Sequence, residues 1–150
     1  MVVHLTQPFP ETPAVHESPA RVLIADDNPL NRTMLQALLE SAGLYVETVC
    51  DGHEAVTAWS NGSWDVVVLD IHMPNMDGLG AAREIRAHEV ANAGARTPLV
   101  ALTGDASTAC RGNCSEAGID QICAKPIDLE GLLGAIDLAL TPTIALRRIA

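Results

Sequence analysis

The sequence predicts an α/β fold, a doubly wound parallel sheet of five strands with helices on both faces. Two observations carry that expectation. From Arg21 onward a short apolar run, a turn and an amphipathic stretch recur five times, the alternation that builds parallel sheets through crossover helices. The apolar runs are also largely unbroken, as in strands covered on both faces. The clearest is Val66 to Leu69, which ends abruptly in Asp70 before Pro74, Asn75, Asp77 and Gly78 turn the chain. A carboxylate at the carboxyl end of a central strand lies where open α/β sheets bind ligands. A solvated strand end or a cap would look the same in this stretch alone.

The elements follow in order. Residues 1–20 contain Pro8, Pro10, Pro13 and Pro19 with little periodicity, and read as an extended, mobile tail. Val22 to Ala25 forms the first strand, and Asn28-Pro29 has the form of an N-cap followed by proline at the first helical position. Leu30, Met34, Leu35, Leu38 and Ala42 recur at helical spacing before the stop at Gly43. Leu44 to Val49 is the second strand. Asp51 and Glu54 have capping-box spacing, with Asp as the variant cap, for a helix carrying Val56 and Trp59.

Asn61-Gly62-Ser63 turns into the third strand, and a helix follows from about Gly78 to Glu89. Leu99 to Leu102 is the fourth strand. A weaker helix, interrupted by Gly112, spans residues 105–117. Ile119 to Ala124 is a short fifth strand, and Asp128 caps a last helix whose face carries Leu129, Leu132, Leu133, Ile136 and Leu140. The expected organisation is thus a tail over 1–20, a domain over 21–140 and a C-terminal tail over 141–150, too short for an appended output domain.

A chain of 150 residues, 48% hydrophobic, can bury one proper core. Its formal net charge of −10 argues against nucleic acid or an anionic membrane as a partner. Met1 to Leu5 lacks a cationic leader, and no apolar run reaches the roughly 18 residues of a membrane span. Cys50, Cys110, Cys114 and Cys123 therefore read as reduced thiols of a cytoplasmic protein. Cys110 and Cys114 stand one helical turn apart, but no suitably spaced histidine completes a zinc set.

Four strand ends now align. The first ends in Asp26-Asp27, the third in Asp70, the fourth in Thr103 and the fifth in Lys125-Pro126. Two carboxylates about 5 Å apart repel by roughly 3 kcal/mol at an effective dielectric of 20. Three carboxylates and one ammonium sum to a local charge of −2, which calls for a divalent cation. Oxygen ligands select a hard ion, Mg²⁺ by default. Beside such an ion Asp70 can attack a phosphoryl group, Thr103 can hydrogen-bond one of its oxygens and Lys125 can pair with another.

The motifs V-L-I-A-D-D-N, V-V-V-L-D-I-H-M-P-N-M-D-G, V-A-L-T-G and A-K-P-I resemble the receiver domain of two-component response regulators over roughly Arg21 to Leu140. Their wording is most like receivers of hybrid histidine kinases, while the short tails fit a stand-alone single-domain regulator. The resemblance implies a flavodoxin-like (βα)5 sheet of order 2-1-3-4-5. It implies Asp70 as phosphoacceptor, Asp27 as direct Mg²⁺ ligand, Asp26 as a ligand through water, and the backbone carbonyl of His72 as the remaining protein ligand. Thr103 becomes the switch hydroxyl and Lys125 the phosphate-pairing lysine, with a cis Lys125–Pro126 bond. A histidine kinase or histidine phosphotransfer protein would dock around Leu30, Met34, Pro126 and Ile127. The face of the fourth helix, fifth strand and fifth helix would signal to a downstream protein.

Two positions depart from the family: Ile122 stands where an aromatic residue often precedes the lysine, and Gly104 where alanine usually follows the threonine. Other aspartyl chemistries fit less well. A haloacid-dehalogenase-like phosphatase needs a second Asp two residues after Asp70, where this chain has His72. A flavin module on the same fold needs a phosphate cradle where Asp26-Asp27 would repel it. The remaining polar residues read plainly: His72 lines the rim, His53 is solvated, Trp59 and Trp64 pack at the sheet's edge, and Arg147 and Arg148 form a solvated end.

Overall fold

The computed structural model describes residues 18–105 and 107–149, with side chains as far as residue 141. Most of the expected N-terminal tail, residues 1–17, and the side chains of Arg147 and Arg148 lie outside the described residues. The elements are β1 (Arg21–Ala25), α1 (Pro29–Ser41), β2 (Tyr45–Val49), α2 (Gly52–Asn61), β3 (Val66–Asp70), α3 (Gly78–Ala91), β4 (Leu99–Thr103), α4 (Thr108–Ala117), β5 (Gln121–Ala124) and α5 (Leu129–Ile149). All strand pairs are parallel and the order is β2-β1-β3-β4-β5. The winding reverses between β1 and β3, so their carboxyl ends border the crevice where such sheets place ligands.

Alternate strand residues face opposite layers. Val22, Ile24, Val66, Val68, Val100 and Leu102 pack with Leu35 and Leu39 of α1 and Leu132 and Ile136 of α5. On the other face Leu23, Ala25, Val67, Leu69 and Leu99 meet α2 and α3 through Ala55, Val56, Ala81, Ala82 and Ile85. Every residue of β3 and β4 is buried, as their unbroken apolar runs require.

The caps form as expected, with one refinement. Asn28 accepts the Leu30 amide at 2.9 Å, and Asp51 accepts the Glu54 amide at 2.9 Å. The return bond from Glu54 goes one residue further back, to the Cys50 amide at 2.6 Å. Asp128 accepts the Gly131 amide at 2.6 Å at the start of α5.

Four expectations shift. The inward face of α1 is Leu35 and Leu39, while Leu30 and Met34 are 79% and 42% exposed. At about 100° per residue, Leu30 lies about 140° around the helix from Leu35. Gly112 does not interrupt α4, which starts only at Thr108 behind the Ser107 cap. The last helix continues past Leu140 to Ile149. Ala20, read as tail, accepts the Tyr45 amide at 3.0 Å and so extends the sheet's edge.

At the amino ends of the strands Arg86 ties several elements together. Its guanidinium donates to the carbonyls of Gly118 (3.0 and 2.8 Å) and Thr97 (2.8 Å), and pairs with Glu89 and Asp120. Asp120 also accepts the Leu99 amide at 2.8 Å, and Arg96 bonds its other oxygen. Glu89 is buried and fully engaged there, as a buried charge must be. Trp59 and Trp64 sit nearby as expected, their indole N–H groups bonded to Thr97 and the Ala58 carbonyl. They line a groove of about 470 Å³, at the opposite end of the sheet from the acidic residues.

Candidate functional site

The strand ends bring the predicted residues together. β1 delivers Asp26 and Asp27, and β3 delivers Asp70; one carboxylate oxygen from each lies within 4.8 Å of the others. Asp26 and Asp70 are buried, Asp27 exposed. Lys125, just past β5, places Nζ 2.9 Å from Asp70 Oδ2, and its bond to Pro126 is cis. The Lys125 amide donates to the Thr103 carbonyl at 2.7 Å, anchoring the lysine to the end of β4.

Asp26 is held from several sides. Oδ1 accepts the Asn28 amide at 2.8 Å and Oδ2 the Asn31 side-chain amide at 3.4 Å. Arg32 donates to the Asp26 carbonyl at 2.8 Å. Burial pushes the Asp26 carboxyl above its ordinary range, the Asn28 amide opposes that, and the neighbouring Asp70 charge adds to it. A buried acid that resists ionisation beside two others fits a hard divalent cation, which would remove the penalty.

The loop after β3 is built to keep Asp70 in place. The His72 amide donates to Asp70 Oδ1 at 3.1 Å, and the His72 side chain is exposed. Asn75, at φ 68°, donates to Asp51 at 3.2 Å, and the Met76 carbonyl accepts the Gly52 amide at 2.9 Å, so the loop is pinned to the start of α2. Gly78 then packs directly on the Asp70 carbonyl: a Cβ there would collide with its oxygen.

Thr103 is fully buried. Its hydroxyl oxygen accepts the Asp105 amide at 3.0 Å, lies 3.0 Å from the Asp105 carbonyl, and sits 3.7 Å from Cys110 Sγ. It is engaged with the β4–α4 loop rather than with Asp70. The sequence reading gave no role to Arg32 or Cys110. Arg32 acts on a backbone atom, which leaves no signature in residue spacing, and Cys110, read as a reduced thiol one turn from Cys114, carries no sign of its contact with Thr103.

Four similarities to known proteins bear on this geometry. The family model described as response regulator receiver domain matches residues 22–137. The sensor protein GacS of Pseudomonas syringae pv. syringae is 38% identical over 115 residues, which is 77% of this chain but 13% of GacS. The receiver domain of the sensor histidine kinase PA1611 from Pseudomonas aeruginosa, solved with magnesium coordinated in its active-site cleft, is 35% identical with a TM-score of 0.73, over 83% of this chain and 99% of that one. The receiver domain of the Saccharomyces cerevisiae response regulator Ssk1, solved with the histidine phosphotransfer protein Ypd1, is 28% identical with a TM-score of 0.76, over 79% of this chain and 87% of that one. The chain spans only a small part of the curated relatives it matches. With its strand order, its acidic crevice and a family match over most of its length, the chain belongs to the response regulator receiver domains of two-component systems.

Proposed function

We propose that Asp70 accepts a phosphoryl group from a phosphohistidine, with Mg²⁺ held by Asp26, Asp27, Asp70 and the backbone carbonyl of His72. The observation that carries this reading is the meeting of three carboxylates within 4.8 Å, one of them ion-paired to Lys125 at 2.9 Å. Bound Mg²⁺ would neutralise the acidic pocket and the incoming phosphoryl oxygens. An Asp70 oxygen forms the new bond to phosphorus as the phosphorus–nitrogen bond of the donor breaks and its imidazole departs. Lys125 then exchanges the Asp70 oxygen for a phosphoryl oxygen, and the Thr103 hydroxyl takes another. The module promotes only its own phosphorylation and dephosphorylation and turns over no separate substrate.

The donor is a histidine kinase or a histidine phosphotransfer protein. Leu30 and Met34 are apolar and exposed beside the crevice, Pro126 is exposed next to Lys125, and Ile127 is partly buried behind it. The Ssk1–Ypd1 complex supports a partner of this kind. The cytoplasm is the proposed compartment. No helix among the described residues is long and apolar enough to cross a membrane. The phosphatase alternative is set aside, because the position two residues after Asp70 is His72 and the family is that of receivers.

The test is acetyl phosphate with Mg²⁺ followed by intact mass. Wild type should gain one acid-labile phosphoryl group, and Asp70→Asn, nearly isosteric, should fold and gain none. Undiminished single phosphorylation of that variant would remove Asp70 from the centre of the reaction.

A further inference from the structure

The contact between Thr103 and α4 has a direction that the hydrogen-bond inventory fixes. A hydroxyl offers one proton and two acceptor sites. The Asp105 amide takes one acceptor site, and the Asp105 carbonyl, 3.0 Å away, can only accept, so it receives the proton. The acceptor site left over faces Cys110 Sγ at 3.7 Å, so the Cys110 thiol is the donor there. Cys110 is itself backed by Cys114, one turn on and 1% exposed. Burial, reinforced by the neighbouring Cys110, pushes the Cys114 thiol up to about 11, so it stays protonated. Donation thus runs from Cys110 through Thr103 to the Asp105 carbonyl. Around it the side chains are aliphatic or small: Ile71, Leu79, Ala101, Ile119 and Ile122.

We propose that Cys110 is a positioning residue of the switch, its thiol holding the Thr103 hydroxyl on Asp105 until Asp70 carries a phosphoryl group. This deepens the receiver reading and rests on it. When the hydroxyl swings over to a phosphoryl oxygen, the Asp105 carbonyl loses its donor, and Cys110 and the Asp105 amide lose their acceptor. The first turn of α4 then registers the change without an aromatic side chain. A weak neutral hydrogen bond of this kind biases the equilibrium toward the resting state by about two- to fivefold.

Two measurements test it. The first needs no phosphoryl chemistry: iodoacetamide labelling of Cys110 in the free protein, followed by peptide mass, with exposed Cys50 as internal reference. Thr103→Val removes the hydroxyl at constant shape and should speed Cys110 labelling about two- to fivefold; an unchanged rate overturns the contact. The second is the Mg²⁺-dependent affinity for beryllofluoride. Cys110→Val should bind about two- to fivefold more tightly than wild type, while Cys110→Ser, which can still donate, should stay within about twofold. Equal affinities for all three proteins overturn the proposal even if Cys110 labels as expected. Failure of the wild type to bind beryllofluoride refutes the phosphoacceptor role of Asp70, and the switch role of Cys110 falls with it.

Discussion

Replacing Gly78 by alanine should both loosen the fold and displace Asp70. The added Cβ would collide with the Asp70 carbonyl oxygen and stand 2.9 Å from the Asp70 carbonyl carbon and 3.1 Å from Ile71 Cα. All three are backbone atoms, so no side-chain rotation relieves the overlap. Either α3 retreats or the end of β3 moves. Overpacking costs about 1–3 kcal/mol, and a backbone-only clash belongs at the upper end. The better helix propensity of alanine offsets less than about 1 kcal/mol. A net loss of about 2–3 kcal/mol corresponds to a fall in melting temperature of about 6–9 °C for a domain of this size. Because the shift is forced onto Asp70 itself, phosphorylation by acetyl phosphate should slow at least about tenfold, since small misplacements of a reacting group are costly. The control is Gly112→Ala in the middle of α4, where a Cβ meets nothing within 4 Å. It should gain about 0.5–1 kcal/mol from propensity alone. A Gly78→Ala protein that melts within about 2 °C of wild type and phosphorylates normally would refute the packing argument.

Other perturbations have equally definite outcomes. Asp26 has its carboxyl raised by burial, so without metal its contribution to stability falls as pH rises from its unfolded value of 3.8 through its higher folded value. Asp26→Asn should therefore melt higher than wild type at pH 7 without Mg²⁺, and should lose most of the stabilisation that millimolar Mg²⁺ gives wild type; the opposite order in thermal melts contradicts the acidic-pocket account. Asp51 has its carboxyl lowered by the Glu54 amide it caps, so its contribution is present above 3.8 and fades as pH falls through the lower folded value. Asp51→Ala should cost about 1 kcal/mol at pH 7, and the gap to wild type should close in acid; a constant gap across a pH series would show that the charge is irrelevant. Leu30→Ala, at a side chain 79% exposed, should change stability by no more than about 0.5 kcal/mol while slowing phosphotransfer from a cognate phosphohistidine donor. Unchanged transfer would move the docking surface elsewhere.

The sheet and the acidic crevice were legible because both depend on short-range patterns. Unbroken runs such as Val66 to Leu69 identify strands buried on two faces, and the polar residues that end them share one edge once the strands are parallel. Caps at Asn28, Asp51 and Asp128 are local hydrogen bonds and read equally well. Periodicity was less informative about α1, because spacing shows that apolar residues recur but not which of them turn inward. Leu39, missing from the predicted stripe, is fully buried, whereas Leu30 faces out. Gly112 weakens a helix by propensity alone, and packing of Cys114 and Ala117 overrides it. The anchoring of Asp26 by Arg32 and of Thr103 by Cys110 depends on where two elements meet, and no linear pattern records that.

The Arg86 cluster has a mechanical consequence for α4. It grips the carbonyl of Gly118, the left-handed residue at φ 91° that ends this helix, and Arg86 side-chain atoms fill the space where a Cβ would stand. The other end of α4 is joined to β4 by the short loop that carries Gly104 and Asp105, and a Cβ on Gly104 would meet nothing within 4 Å. One end of the helix is therefore held by a charged side chain, and the other by the Ser107 cap and the neutral contact with Thr103. A helix of ten residues is about 15 Å long, so a tilt of about 5° about Gly118 carries its first turn through about 1.3 Å. That is enough to make or break a hydrogen bond at Thr103 while the amino ends of the strands stay still, and it makes α4 a lever whose long arm ends beside Thr103.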